Sequence, residues 1–330
     1  MKEVVMFGAG KIGQDAYYFL KRDGKRIAYY VDNSERKWGQ NLNNIPIKSF
    51  DDFVQEADKY ELILTCNQMN VEAIEEQLKK ADVKEYSIFD EMRLMNRESI
   101  VSYAHPHDME DVILYHILHD EDNIFYIDVG SNSPTIWSVT KLLYDKKNAR
   151  GINIEPQKNL IEISKRERVR DINLCVGVGD KNGTMELFVQ GYLGNISTVL
   201  KNGILRKNYK TEVIEVMRLE EVCNLYVPEG QDITFLKVDV EGFEKNVLEG
   251  MDFKKYRPWI VVMESTLPMT MDFCHYEWED ILIANHYHFA YTYGVNRFYI
   301  ADEREYLDDR FCSMDAIRAI YKIYQLTEME

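Results

Sequence analysis

The chain has 330 residues and a mass of 38.9 kDa, which fits two domains of ordinary size better than one small module. Apolar residues make up 45 % and charged residues 29 %, values of a globular protein, so disordered, collagenous and disulfide-scaffold classes drop out. With 40 Lys and Arg against 56 Asp and Glu the net charge is −16, which repels nucleic-acid polymers and anionic lipid surfaces.

No run of about 18 apolar residues is present for a membrane span, and the opening MKEVVMFGAG reads as a strand rather than a signal peptide. A cytoplasmic setting is expected. The five cysteines (Cys66, Cys175, Cys223, Cys274, Cys312) are scattered and never in C-x-x-C spacing, so they read as reduced thiols. In chain order, the first hundred residues alternate short apolar runs with helical periodicity. Strands are predicted at 4–7, 26–31, 62–65 and 86–89, and helices at 12–21 and 71–80, the pattern of a small parallel βαβ sheet. A polar stretch at 90–99 marks a boundary, dividing the chain into domains 1–98 and 99–330.

Beyond it come a helix at 110–119 and strands at 124–128, 151–155, 173–178, 235–239 and 260–264, with helices at 159–165 and 244–249 between them. Five buried strands with crossovers predict a second doubly wound, Rossmann-like α/β sheet. The segment 191–209 lacks periodicity and reads as a lid over an active site. A helix is predicted at 315–326.

The first glycine loop is Gly8-Ala-Gly10-Lys-Ile-Gly13, opening a helix, with Asp32 closing the next strand. Such glycines let the backbone approach a pyrophosphate at a helix N-terminus, and an acid at that distance holds a ribose diol. The same glycines also serve a bare strand-to-helix turn. A nucleotide or sugar nucleotide is the expected ligand if there is one. An NAD(P)-dependent oxidoreductase remains an alternative, although residues 1–98 offer no Tyr/Lys or His pair for hydride transfer. So does a non-catalytic binding or scaffold role for this domain. The segment FGAGKIGQ through NNIPI resembles small N-terminal domains attached to glycan-modifying enzymes.

The second loop, Asp128-Val-Gly130-Ser131-Asn132-Ser-Pro134, carries one glycine where a phosphate loop has three, and a second strand ends in Glu155-Pro156. A carboxylate there accepts both hydroxyls of a ribose, and a loop without a phosphate to cradle suits S-adenosylmethionine (SAM). Further on, Lys237-Val-Asp239-Val-Glu241-Gly-Phe-Glu244 sets a lysine and three acids at the carboxyl end of the fourth strand, where open α/β sheets bind ligands. A fifth strand ends in Glu264.

Taken together, IDVGSN, INIEP, LKVDVEGFE and RPWIVVMES resemble the FkbM family of SAM-dependent methyltransferases. The likeness covers about residues 105–302 and includes MEDVILYHIL, SVTKLLYD and the late WEDILIANHYHFAYTYGVNRFYIAD. It departs from the family at Ser133-Pro134, where many relatives have a further glycine. The resemblance implies a class I methyltransferase fold and an O-methyltransferase acting on a sugar or glycan precursor. Asp128, Gly130, Ser131 and Asn132 would then contact the amino-acid end of SAM and Glu155 its ribose. Asp180 would take the adenine amine or else cap the turn at 180–183.

Methyl transfer is an in-line displacement, so alignment matters most, and a protonated sugar hydroxyl needs a base or a cation. Asp239, Glu241 and His275 are the base candidates, while Asp239 with Glu241 or Glu264 offers oxygen ligands for Mg²⁺. Lys237, Tyr293, Asn296 and Arg297, with Tyr291, are candidates to line an acceptor pocket. Residues 141–218 hold 15 basic against 9 acidic residues, with Lys201, Arg206, Lys207 and Lys210 in the expected lid, so a phosphorylated acceptor is welcome there. Homo-oligomerisation is left open.

Overall fold

The computed structural model describes residues 2–190, 196–198, 209–268 and 270–326. The chain divides into two compact units, Met1–Ile100 with Cys312–Ile323, and Val101–Phe311 with Tyr324–Glu330.

In the first unit, the strands are β1 (Val4–Phe7), β2 (Ile27–Val31), β3 (Asn41–Leu42), β4 (Ile45–Lys48), β5 (Glu61–Leu64) and β6 (Ser87–Ile88). They form a sheet of order β3-β4-β2-β1-β5-β6, parallel except for the β3–β4 pair. The central VVMF of β1 is buried at every position, as both faces of a parallel strand are covered. One covering helix, Lys11–Arg22, buries Ala16, Phe19 and Leu20 at helical spacing. β7 (Glu98–Ser102) follows the polar stretch.

The second unit carries β8 (Phe125–Val129), β9 (Arg150–Ile154), β10 (Ile172–Leu174), β11 (Gly177–Gly179), β12 (Gly183–Gln190), β13 (Ile196–Thr198), β14 (Lys210–Arg218), β15 (Phe235–Val238), β16 (Ile260–Glu264), β17 (Tyr287–Tyr293) and β18 (Asn296–Ala301). Among the described residues the main sheet runs β10-β9-β8-β15-β16-β18-β17. β10 through β16 in that order are parallel, and β18 is antiparallel to both neighbours. Ile127, Ile152, Leu236, Val261 and Met263 from these strands share one core with Trp278 and Leu282.

Three expectations change. The strand expected at 173–178 is broken: β10 stays in the main sheet, whereas β11 joins a smaller sheet of order β11-β14-β12-β13. The expected lid contributes β13, and Lys210 opens β14, in which Ile214, Glu215 and Val216 alternate buried and exposed as a strand does. The remainder of that segment, 191–195 and 199–208 with Lys201, Arg206 and Lys207, lies outside the described residues. Finally, the C-terminal helix ends at Ile320 and gives way to β19 (Tyr321–Gln325), which pairs with β7. The sequence YKIYQ alternates aromatic or β-branched residues with polar ones, which favours a strand.

Candidate active site

β9, β8, β15 and β16 end at the same edge of the main sheet, and the reversed β18 begins there. The register sets Lys237 beside Asp128, Asp128 beside Asn153, and Glu264 beside Asn296. Glu155, Gly130, Asp239, Glu264 and Asn296 therefore follow one another along the edge, over about four strand spacings or roughly 19 Å. All of them line a cavity of ≈ 430 Å³, a size suited to a small organic ligand. Its walls differ by element. Val176, Val178, Leu187, Ile214 and Val216, from β11, β12, β14 and the approach to them, make an apolar wall, whereas His105, Asp108, Glu110 and Trp137 bring polar and aromatic groups.

The glycine of the second loop is needed for space. Gly130 has φ +78°, and a Cβ on it would lie 1.8 Å from the backbone oxygen of Asp239, so two strand-end loops meet where only hydrogen fits. Gly130 N and Ser131 N donate to Ile154 O at 3.0 and 3.1 Å. Glu155 then fastens the loop: Oε2 accepts from Asn132 N at 3.2 Å and Oε1 from Gln157 N at 2.9 Å. Asp128 is 2 % exposed. Its Oδ2 accepts from Thr140 Oγ1 at 3.5 Å, while its Oδ1 and the Ser131 hydroxyl are buried with no hydrogen-bond partner. Buried polar atoms left so point to a missing ligand.

Lys237 is the buried cation of the site. Its Nζ lies 3.2 Å from Asp239 Oδ2 and 3.7 Å from Asp128 Oδ1, and donates to Gly130 O at 3.3 Å. Burial works against its charge, yet Asp239, Asp128 and Glu110 hold the ammonium well above its usual range. Acids outnumber it. Burial pushes Glu155 up to about 7 and Glu110 to about 8. Glu241, half-buried and next to Asp239 and Glu244, rises to about 8, and burial together with Asp239 and Glu241 holds Glu264 well above its usual range. Glu241 also holds a left-handed φ of +55°. Seven carboxyl groups against one ammonium make a cavity that favours a cationic guest, since charge held in low dielectric seeks its complement. Among the described residues no group of three or more His, Cys, Asp or Glu is arranged to hold a metal ion, so the expected Mg²⁺ gains no support here.

The cavity thus brings together Asp128, Gly130, Ser131, Asn132, Glu155, Lys237, Asp239, Glu241, Glu264 and Asn296. Asp180 is not among its lining residues; it accepts from Asn246 Nδ2 at 3.2 Å and pairs with Lys181, because it follows β11 in the small sheet rather than the third strand of the main one. His275 packs against Phe273 and Tyr276 outside the lining. Arg297 is turned away from the cavity by the two-residue alternation of β18: it donates to Glu279 at 2.9 Å and to Tyr299 at 2.8 Å, and stacks on Phe289. Tyr293 sits at the hairpin turn opposite Asn296, and Tyr291 packs on Phe298 and Phe311. Pro134 faces the interior, where its carbonyl accepts from Arg168. Sequence reading missed His105, Asp108, Glu110 and Trp137; the dense polar run HPHDME ahead of a helix was the available clue.

The first glycine loop reads differently in three dimensions. Asp32 Oδ2 accepts from Ala9 N at 2.9 Å and pairs with Lys37 at 2.8 Å, while Oδ1 accepts from Ser34 N. The carboxylate expected to hold a ribose closes its own loop. No histidine precedes His105 in the chain.

A doubly wound sheet with one reversed strand, and a ligand cavity over the glycine loop of β8, defines a class I methyltransferase fold. The chain belongs to the FkbM methyltransferase family: residues 128–293 match the methyltransferase FkbM domain. Residues 1–89 match the C2185-like N-terminal domain. Among solved structures, methyltransferase FkbM from Methylobacillus flagellatus KT is similar at 14 % identity and TM-score 0.34, covering 91 % of this chain and 90 % of that one. UDP-D-quinovosamine 4-dehydrogenase from Vibrio fischeri is similar at 22 % identity and TM-score 0.24, over 29 % of this chain and 84 % of that one. RSP, a Rex-family repressor, matches at 18 % identity and TM-score 0.24, over 28 % of this chain and 46 % of that one. None of the curated proteins matches the chain. Among the described residues no helix is long and apolar enough to cross a membrane.

Proposed function

We propose that the chain transfers the methyl group of SAM to a hydroxyl of a sugar or glycan precursor. The observation that carries the reading is the acidic cavity over Gly130, in which Asp128 Oδ1 and Ser131 Oγ are buried without a hydrogen-bond partner. Bound there, SAM supplies a methyl group on a cationic sulfonium. Asp128, Ser131 and the Gly130 backbone hold the amino-acid end, and Glu155 accepts the ribose hydroxyls. Val178, Leu187 and Ile214 enclose the adenine, whose flat apolar faces suit them. Asp239 and Glu264, next along the sheet edge, face the cationic centre and favour its binding. The polar residues Glu110 and Asn296, hydrogen-bonded to each other at 2.6 Å, form the wall presented to the acceptor.

For the N-terminal unit we propose a non-catalytic binding or scaffold role, supported by the engagement of Asp32 within its own loop. Heat stability measured with SAM and with NADH separates the readings: a shift with SAM alone is expected, and a shift with NADH alone overturns the assignment. Incubation with labelled SAM and a panel of nucleotide sugars and glycan fragments should add one methyl group to a hydroxyl. If only nitrogen acceptors react, the O-methyl reading is wrong.

A further inference from the structure

We infer that His105 takes the proton from the acceptor hydroxyl, with Asp108 holding its imidazole and Trp137 forming the platform for a ring-shaped polyol acceptor. The inference rests on the methyl-transfer reading of the cavity and adds to it a base that the known motifs do not contain.

The first argument is placement. Along the sheet edge Glu155 stands at the end of β9 and Asn296 at the start of β18, four strands away. The loop bearing His105 is fastened beside Asn296: Val295 N donates to Asp108 Oδ1 at 3.2 Å, and Asn296 Nδ2 donates to Glu110 Oε1. A cofactor with its ribose at Glu155 and its amino-acid end at Gly130 leaves the Asn296 end of the same cavity to the acceptor, and His105 is there.

The second argument is geometry. His105 Nδ1 lies 3.1 Å from Asp108 Oδ2, and the His107 backbone N–H reaches the same nitrogen from 3.4 Å. The His107 N–H needs Nδ1 as an acceptor and competes with the carboxylate for it; the nearer, charged Asp108 favours the proton on Nδ1, which leaves Nε2 as a proton acceptor. No hydrogen bond to Nε2 is found among the described residues. The loop is tied down by hydrogen bonds although the ring is 41 % exposed. His105 O accepts from Asp108 N and Met109 N, and buried Asp111 accepts from Tyr103 N at 2.6 Å and Ala104 N at 3.2 Å. Asp239 is held by Lys237 and Glu110 Oε1 by Asn296, whereas Glu110 Oε2 and Glu264 Oε2 are buried without a hydrogen-bond partner.

The third is the platform. Trp137 is 46 % exposed yet lines the cavity, stands edge-on to His105 at 5.4 Å, and is held at a φ of +60°, rare for a bulky residue. A large ring kept half in water at a strained position beside a base suits the apolar face of a cyclic polyol.

In the step, the O–CH3 bond forms as the S–CH3 bond breaks, and the pair from the broken bond goes to sulfur, cancelling its positive charge. The hydroxyl proton moves to His105 Nε2 and from there to water, which the exposed ring can reach.

The test compares full-length wild type with His105→Gln, Asp108→Asn and Trp137→Ala, using labelled SAM and the nucleotide sugar or glycan fragment that wild type methylates. His105→Gln should keep the heat-stability shift given by SAM, lose 100-fold or more in kcat, as loss of a general base does, and regain activity when imidazole is added. Asp108→Asn should lower kcat more than it raises KM, and Trp137→Ala should chiefly raise KM for the acceptor. A His105→Gln enzyme that binds SAM and retains kcat within threefold overturns the inference while leaving the methyltransferase reading intact. His105→Ala treated with imidazole is the second variant, and failure of both to be rescued while SAM still binds overturns it too. Wild type that shifts with SAM but methylates none of the hydroxyl panel removes the acceptor class and this inference with it; wild type that does not respond to SAM at all refutes the parent reading.

Discussion

Arg168 is buried behind the SAM-type loop, and its replacement by alanine gives a prediction that can be worked from geometry. All five of its N–H donors are used: Nε to Asp171 at 3.0 Å, one terminal nitrogen to Pro134 O at 3.1 Å and Ser138 Oγ at 3.3 Å, the other to Tyr126 Oη at 2.5 Å and Thr140 Oγ1 at 2.8 Å. Its plane also stacks on Tyr144. Asp171, its ion partner, is fully buried. Removing the guanidinium leaves that carboxylate its hydrogen bonds from Tyr126, Gly151 and Asn153 but no counter-charge, a loss of about 3–5 kcal/mol, from a total stability of about 5–15 kcal/mol. At about 2–4 °C per kcal/mol for a unit of this size, the melting temperature should fall by about 6–20 °C. Because Pro134, Ser138 and Thr140 are the chain between the loop and its helix, and Thr140 touches Asp128, SAM affinity should fall as well. Thermal unfolding and calorimetric titration with SAM, run on wild type, Arg168→Ala and the double variant Arg168→Met/Asp171→Leu, measure both. The double variant should recover part of the lost stability, since no charge is then stranded. A fall of under about 3 °C for Arg168→Ala, with SAM affinity unchanged, would refute the reasoning.

The raised carboxyls give an unusual pH dependence. Glu155, Glu110 and Glu241 titrate near 7 to 8 when folded, above the usual range of an unfolded glutamate near 4.3, so the folded state holds more protons between those values. Their contribution is fully present below about pH 4 and is lost as pH rises through 7 to 8. The ligand-free protein should therefore melt higher at pH 6 than at pH 8.5, and SAM, a cation, should stabilise it more at pH 8.5; a melting temperature that climbs steadily over that range contradicts the assignment. Gly130→Ala should abolish methyl transfer and SAM binding, since its Cβ would strike Asp239 O, and intact SAM binding in the variant would show that the loops separate freely. Glu155→Ala removes the acceptor of Asn132 N and Gln157 N together with the ribose contact; loss of the SAM heat shift is expected, and an unchanged shift excludes the ribose role.

Much of the site is legible in the sequence because it is local. A glycine or an acid at the end of a parallel strand lies at the ligand edge of the sheet by the geometry of the strand itself, so Asp128, Gly130, Glu155, Asp239 and Glu264 are readable from spacing. Readings that depend on which sheet a strand joins are not. Asp180 follows β11, and only strand pairing reveals that β11 has left the main sheet. Asn296 and Arg297 are neighbours in sequence and take opposite faces of β18, so one lines the cavity and the other pairs with Glu279. In the run Lys165-Arg166-Glu167-Arg168, exposure of the first three and burial of the last follow from where the helix ends against the sheet, which composition does not record.

By itself the sequence determined the two α/β sheets, the one-glycine loop that follows β8, the acid that follows β9, and the acidic balance of the chain. Tertiary structure decided that Asp32 serves its own loop, that His275 and Asp180 stand outside the cavity, and that His105, Asp108 and Trp137 stand within it. The reason is range. Turns, periodicity and strand ends act over a few residues, whereas the polar wall is closed by a hydrogen bond between Glu110 and Asn296, 186 residues apart, which forms only once the reversed strand is seated beside β16.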